Sequence, residues 1–568
     1  MTILRLLCIG LSAVILFAGC GSSAVRDGEP APAKWNNSSF VFTAYGAVEG
    51  EADKDDTWVW RGIPYASPPV GERRWRAPAP PADWSGVQKT VKFRGACAQF
   101  SPVIPGMVIG SEDCLYLNIW RPRTSEDNLP VYVFIHGGGN SIGSANMVSD
   151  YYGHALAARS NMVYVSFNYR LGPFGWFTHP AIRASSLTPE DASGNYGTLD
   201  IIAALEWIQE NIVSFGGDPE RVIVTGESAG GINVTSLLLS RYAKGLFSHA
   251  MSQSGGMLLS SVEEGDVSAN EVIERFLQRD GLVNNTADAV RYISDMPAGE
   301  IRGYLLKKSS REILKGYSSR TVGMTGAPAV FADGTVIPLE GYDLIADGRQ
   351  PVKVPIILGA NKDEVKLFFS FDRSFSWRSE LYQAAGTYGS MQWKAGAVDT
   401  LLRLLTKDPE HPPVYGYRFD WGSPDESGES PLPRNWGLKL GAAHTFEIPF
   451  FLGTGTLNGP LYTSRLFTKA NRAGRKALSA AMMEYISSFV RTGDPSRLAN
   501  GDLRPVWESW SNLDDGPKVV LFDVDGDSAK IEMSYKEDTD SSIRRLMKEE
   551  LTESLLAETL DYLGDSQR

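Results

Sequence analysis

The chain reads as an α/β protein: a mostly parallel central sheet with helices on both faces and large loop insertions. Three observations lead there. Short, almost wholly apolar runs recur, among them Val131-Tyr-Val-Phe-Ile135, Met162–Phe167, Arg221–Thr225 and Val354–Leu358. Such strands are buried on both faces, the usual state of parallel strands sandwiched between helices. Between two of these runs Leu199, Ile202, Leu205, Ile208 and Ile212 repeat every three or four residues, the spacing of an amphipathic helix. Finally, the run at 221–225 passes directly into Gly226-Glu-Ser-Ala-Gly-Gly231 and a further helical pattern to Ser240, so strand, sharp turn and helix follow without a spacer.

Taken in order, the chain opens on an export signal. Residues 1–19 carry Arg5, then a nearly unbroken apolar run from Leu6 to Phe17, and Ala18-Gly19 before Cys20. This resembles a bacterial lipoprotein signal, with Phe17 where leucine is usual. The resemblance implies that Cys20 is lipidated and becomes the first mature residue. The protein would then be anchored to the cell membrane or outer membrane, its body in the periplasm or outside the cell. Residues 20–39 are rich in Gly, Ser, Pro and Asn and read as a flexible tether.

From 40 to 540 no repeat or linker divides the chain, and a single body is expected. Phe40–Val48 and Trp58–Ile63 read as early strands, Ala250–Gln253 and Val414–Trp421 as later ones. Leu478, Met482, Tyr485 and Phe489 mark a long helix stopped by Gly493 and Pro495. Residues 541–568 read as one C-terminal helix. Of four cysteines, Cys8 lies in the signal and Cys20 at its end, which leaves Cys97 and Cys114. In an exported protein such a pair forms a disulfide, worth about 3 kcal/mol in a chain-entropy account.

Composition narrows the function. With 55 Lys and Arg against 67 Asp and Glu the net charge is −12, which argues against nucleic acid, whose phosphates need a basic footprint. Gly226-Glu-Ser228-Ala-Gly230 is a G-x-S-x-G motif in a strand–turn–helix setting, which lifts a serine hydroxyl out at the carboxyl end of a sheet. A serine needs a base, and the base an acid, which in this setting follow in the order Ser, Asp/Glu, His. Of six histidines, His136, His154 and His179 precede Ser228, His249 follows it too soon, and His411 lies in a proline-bounded turn. His444, in the small-residue loop Gly441-Ala-Ala-His444, remains. The acid belongs in the loop after the strand at 354–358, Gly359-Ala-Asn-Lys-Asp-Glu364, where spacing does not choose between Asp363 and Glu364. His136-Gly137-Gly138-Gly139 follows another strand, and its glycines leave backbone N–H groups free to close on an oxyanion. His136 itself reads as a core histidine holding that loop.

These motifs, with Arg61-Gly-Ile-Pro-Tyr-Ala66, Glu112-Asp-Cys-Leu-Tyr-Leu-Asn118, Asn168-Tyr-Arg-Leu-Gly172 and Phe215-Gly-Gly-Asp-Pro219, resemble the type-B carboxylesterases, the cholinesterase/carboxylesterase family of α/β-hydrolases. The resemblance implies the α/β-hydrolase fold and hydrolysis of small-molecule carboxylic esters through an acyl-enzyme, with no metal or organic cofactor. It implies Ser228 as nucleophile, Glu364 as acid and His444 as base. It also implies oxyanion donors on Gly138, Gly139 and Ala229, supporting carboxylates at Glu227 and Glu447, and the pairing of Cys97 with Cys114. Two departures are expected to reshape the pocket: Asn140 replaces an aromatic after the glycines, and Val365 a glycine after the acid. Residues 98–113 hold no tryptophan, which argues against a cholinesterase. Two rivals stay open at this stage: an acyl hydrolase of carbamates, amides or polyesters, and a non-catalytic binding protein on the same fold.

Overall fold

A computed structural model describes residues 34–319, 323–433, 435–457, 465–497 and 505–566. The expected export signal at 1–19, Cys20 and the expected tether up to residue 33 lie outside the described residues. Eleven strands form the central sheet: β1 (Glu51–Asp53), β2 (Thr57–Pro64), β3 (Tyr116–Pro122), β4 (Leu129–Ile135), β5 (Val163–Phe167), β6 (Gly217–Glu227), β7 (His249–Gln253), β8 (Ile356–Asn361), β9 (Val414–Phe419), β10 (Val519–Asp525) and β11 (Ser528–Ser534). Their order across the sheet is β11-β10-β9-β8-β7-β6-β4-β5-β3-β2-β1. Every neighbour pair from β10 to β5 is parallel. The pairs at the two margins are antiparallel. The sequence separates the two kinds of strand. All residues of β4 and β5 are buried, whereas outermost β11 alternates exposed and half-buried positions along Ser-Ala-Lys-Ile-Glu-Met-Ser, as an edge strand with one wet face must.

Helix α1 (Tyr196–Asn211) covers the sheet and passes into a short 3-10 turn, Ile212–Phe215, closed by Gly216 at φ 73°. Helix α2 (Ala229–Leu237) starts one residue after β6, inside the Gly226–Gly231 run, and ends short of the Ser240 expected. The strand expected at 354–358 is β8, displaced to Ile356–Asn361, which carries the chain closer to Glu364. Helix α3 (Ser379–Trp393) follows that region. Helix α4 (Arg472–Thr492) ends at Gly493, φ 74°, where the glycine was expected to stop it.

The C-terminal segment is two helices, not one: α5 (Asp540–Glu550) and α6 (Glu553–Ser566). Leu551 turns extended at ψ 145°, and the Thr552 hydroxyl accepts the Leu555 N–H at 3.4 Å, opening the second helix. Both pack their apolar faces on α3 and on Val365 and Phe369, through Ile543, Met547 and Leu563. Inside the expected tether, Trp35 is docked: its indole N–H donates to the Thr124 carbonyl at 2.8 Å and the Arg121 guanidinium lies 3.8 Å from its ring centre. Cys97 and Cys114 are joined in a disulfide, their Cα atoms 5.0 Å apart.

Candidate active site

Ser228 sits between the last residue of β6 and the first of α2, at φ 58° and ψ −123°. Few non-glycine residues hold such a backbone, which costs about 1–3 kcal/mol and persists only where the surroundings over-determine it. Here they do. A Cβ on Gly226 would strike the Gly230 carbonyl, and a Cβ on Gly230 the Ile135 carbonyl oxygen at the end of β4. Only glycines let the turn close this tightly. The Ser228 N–H donates to the Gln253 carbonyl at the end of β7, and its carbonyl accepts the Ile232 N–H as the first bond of the helix.

The glycine loop lies against this turn. A Cβ on Gly137 would stand 2.9 Å from that of Ser228, and Gly138 and Gly139 adopt φ 110° and 60°. Among the described residues no hydrogen bond is donated by the backbone N–H of Gly138, Gly139 or Ala229. His136 is buried and stacks on Tyr169 with ring centres 4.5 Å apart, and burial pushes its pKa down to about 4. It is a neutral histidine that holds the loop.

His444 is buried beside the same cleft, its Nδ1 2.6 Å from Glu364 Oε2. Its imidazole packs on Phe368 and Trp393, with ring centres at 5.2 and 5.5 Å. The next residue, Thr445, is held at φ 76°, an outlier for a β-branched side chain. The other oxygen of Glu364 accepts from the Ser254 hydroxyl at 2.5 Å and the Asn361 N–H at 2.7 Å. Asp363, its sequence neighbour, faces elsewhere: it accepts from the Ala442 N–H at 3.0 Å and the Ser423 hydroxyl, and pairs with Lys366 at 2.8 Å. Geometry thus separates two carboxylates that spacing left equivalent.

Glu227 and Glu447 complete the buried cluster. Glu227 Oε1 lies 3.2 Å from His444 Nε2, yet neither atom finds a hydrogen-bond partner among the described residues, and Ser228 makes no hydrogen bond to His444. Glu447 Oε2 accepts from the Asn361 amide at 2.5 Å. Burial, with Glu364 adding, pushes Glu227 up to about 7 against the pull of His444. Burial and the charges of Glu227 and Glu364 push Glu447 up to about 8. For His444 burial works downward, but Glu227 and Glu364 outweigh it and raise the imidazole to about 9.

Ser254 and Asn361 were missed from the sequence as site residues. A serine followed by two glycines, straight after a strand beside the serine strand, is the faint signal for the first; Ser254 also stands at φ 50°. The two departures act from outside the lining. Asn140 turns away from the cleft toward Asn233, and Val365 packs toward Leu563 and α3, so neither lines the pocket. Gly137, Gly138, Ser228 and His444 open on one cleft, walled mainly by Ile142, Met147, Met324, Leu367, Phe368 and Phe371. Asp150, whose carboxylate accepts the Thr456 hydroxyl at 2.6 Å, and Glu227 also line it.

A serine on a strained strand–helix turn, a buried histidine–carboxylate pair and free N–H groups on one apolar cleft define an α/β-hydrolase. The sequence matches the carboxylesterase family over residues 37–385 and 376–539. It is 31% identical over 486 residues to the para-nitrobenzyl esterase of Bacillus subtilis, covering 80% of this chain and 90% of that one. It is 36% identical over 367 residues to the fumonisin B1 esterase of Sphingopyxis macrogoltabida, covering 63% and 62%. Among solved structures, the carboxylesterase of Geobacillus stearothermophilus superposes with a TM-score of 0.67 at 30% identity, covering 87% of this chain and 98% of that one. The chain belongs to the carboxylesterase family and is a carboxylic ester hydrolase.

Proposed function

We propose that the ester is cleaved through an acyl-enzyme formed on Ser228. His444 takes the hydroxyl proton as Ser228 attacks the carbonyl, then returns it to the leaving alcohol; water repeats the two steps to free the acid. Glu364 holds the imidazole with Nε2 toward the cleft and stabilises its positive form. The N–H groups of Gly138, Gly139 and Ala229 receive the oxyanion, each such donor typically worth about 3–4 kcal/mol in the transition state. The observation that carries this reading is the 2.6 Å Glu364–His444 bond: it occupies Nδ1, so that Nε2, 3.2 Å from Glu227 Oε1, is the ring nitrogen left for the cleft that Ser228 lines. Ser228 and His444 are not hydrogen-bonded in the free enzyme; such contacts commonly tighten only with substrate bound. The test is kinetic. Ser228→Ala and His444→Ala should each abolish turnover of a p-nitrophenyl ester while the far-UV CD spectrum stays that of wild type. Loss in His411→Ala with activity kept in His444→Ala would reassign the base.

We further propose that the enzyme is a lipoprotein held by acyl chains on Cys20. The apolar run Leu6–Phe17 ending in Ala18-Gly19-Cys20 supports this. A diacylated cysteine supplies the two chains that stable anchoring needs. Among the described residues no helix is long and apolar enough to cross a membrane. A fatty-acid analogue fed to cells should label wild type and leave Cys20→Ala unlabelled; equal labelling would end the proposal.

A further inference from the structure

The oxyanion donors proposed above come from two separate pieces of chain: Gly138 and Gly139 from the loop after β4, and Ala229 from the start of α2. Their spacing has to be held to a fraction of an ångström for all three N–H groups to meet one oxygen. Asn140, the next residue of the loop, stands at φ 51°, a left-handed backbone that asparagine tolerates. Its carbonyl accepts the Gly172 N–H at 2.6 Å. Its side-chain amide meets that of Asn233 in a reciprocal pair: Asn233 Nδ2 donates to Asn140 Oδ1 at 2.9 Å, and Asn140 Nδ2 donates to Asn233 Oδ1 at 3.3 Å. Both side chains are buried, 5% and 1% exposed, so water does not compete for these bonds. Asn233 lies four residues after Ala229, one turn along the same face of α2. The Tyr169 hydroxyl adds a brace, donating to the His136 carbonyl at 2.7 Å and lying 3.5 Å from Asn140 Oδ1.

We propose that the buried Asn140–Asn233 amide pair ties the glycine loop to α2 and sets the distance between the two sources of oxyanion N–H groups. Both asparagines are positioning residues for acyl transfer; neither lines the cleft. On one side the helix start is already pressed against the end of β4, where Gly230 leaves no room for a Cβ. The amide pair closes the other side. The inference rests on the proposed roles of Ser228 and the three N–H groups, and its test separates the two.

Asn233→Leu keeps the bulk of the side chain and removes both hydrogen bonds. The expected result is a fall of about 10- to 100-fold in kcat for a p-nitrophenyl ester, the scale of a small misplacement at the reacting centre, with KM changed less than about twofold. Affinity for a trifluoromethyl ketone, whose serine adduct places an oxyanion among the same donors, should fall in step with kcat/KM. Asn140→Gly, which suits φ 51°, should behave alike, and the double variant should be no worse than the poorer single one, because both break one link. Asn233→Ser, smaller and still polar, supplies a second variant should the leucine fail to fold, with a partial loss of the same kind. A folded Asn233→Leu with wild-type kcat would overturn the inference. So would a kcat loss that leaves ketone affinity untouched, or additive losses in the double variant. Ser228→Ala is measured beside them: if it is inactive while Asn233→Leu is normal, only the amide-pair inference fails, and if it still turns over, the reading of the site fails first.

Discussion

The two halves of the site are built from different materials. The half proposed to carry the nucleophile is backbone: Gly137, Gly226 and Gly230 each sit where a Cβ would collide, and Ser228 is held at φ 58° between them. The half proposed to carry the base is side chain: His444, Glu227, Glu364 and Glu447 are buried together, held by Ser254 and Asn361. The first half fails through sterics, abruptly and without regard to pH. The second works through charges brought into a low-dielectric interior, so it is tunable, and its failures should be graded and pH-dependent.

The largest expected effect breaks the backbone half. Gly230→Ala drives a methyl into the Ile135 carbonyl and should leave no folded, active enzyme, read as loss of both soluble yield and turnover. Recovery of a stable, active alanine variant would show that the turn is not as tight as described.

Next, Glu364→Gln should lower kcat by about 10³-fold, because the imidazole loses the charge that orients and stabilises it. Its neighbour sharpens the comparison. Asp363→Asn breaks a buried ion pair with Lys366 and should cost about 3–5 kcal/mol of stability, seen as a lower Tm, while kcat falls much less. If the two variants exchanged these signatures, the division of labour between adjacent carboxylates would be wrong.

A smaller effect tests the tuning of the base. In the proposed mechanism His444 acts only when neutral, so kcat/KM should rise with pH as its proton leaves. Glu227 is the foremost charge raising that imidazole. Removing it in Glu227→Gln lowers the His444 pKa, and the acid limb of the kcat/KM profile should move to lower pH. A limb that stays in place, or moves up, would show that Glu227 does not act on His444.

The smallest expected effect concerns specificity. Trp377 is fully exposed, and Trp393 packs behind His444 and Phe368 without lining the cleft. Among the described residues no tryptophan lines the cleft, which leaves the weaker faces of Phe368, Phe371 and Tyr151 to a quaternary ammonium. Butyrylcholine should gain less than about tenfold in kcat/KM over 3,3-dimethylbutyl butyrate at high salt, where steering by the net charge is screened. A larger preference would point to Phe368, Phe371 and Tyr151, with Asp150 and Glu227 beside them, as a cation site.

The contrast between the halves also explains what the sequence reveals. The central parallel strands are legible because strands buried on both faces are apolar throughout, and the serine turn and glycine loop because only glycine survives those contacts. Asp363 and Glu364 are not separable by spacing, since either carboxyl would serve and only Ala442, Ser423 and Lys366 draw one of them away. Ser254 escapes notice because a serine after a strand is commonplace until its hydroxyl is seen on Glu364. Asn140 misleads for a related reason. Its place beside the glycines suggests a pocket wall, while a partner 93 residues away turns it inward. The C-terminal segment carries helical spacing throughout, and its break at Leu551 depends on docking both halves against α3 and Val365.

The central claim is that one serine on the strained turn is the nucleophile, activated by His444. Mass mapping of a fluorophosphonate adduct tests it most directly. The account predicts a single modified residue, Ser228, labelled fast in wild type, far more slowly in His444→Ala and not at all in Ser228→Ala. Label on any other serine, or equal labelling rates with and without His444, would contradict it.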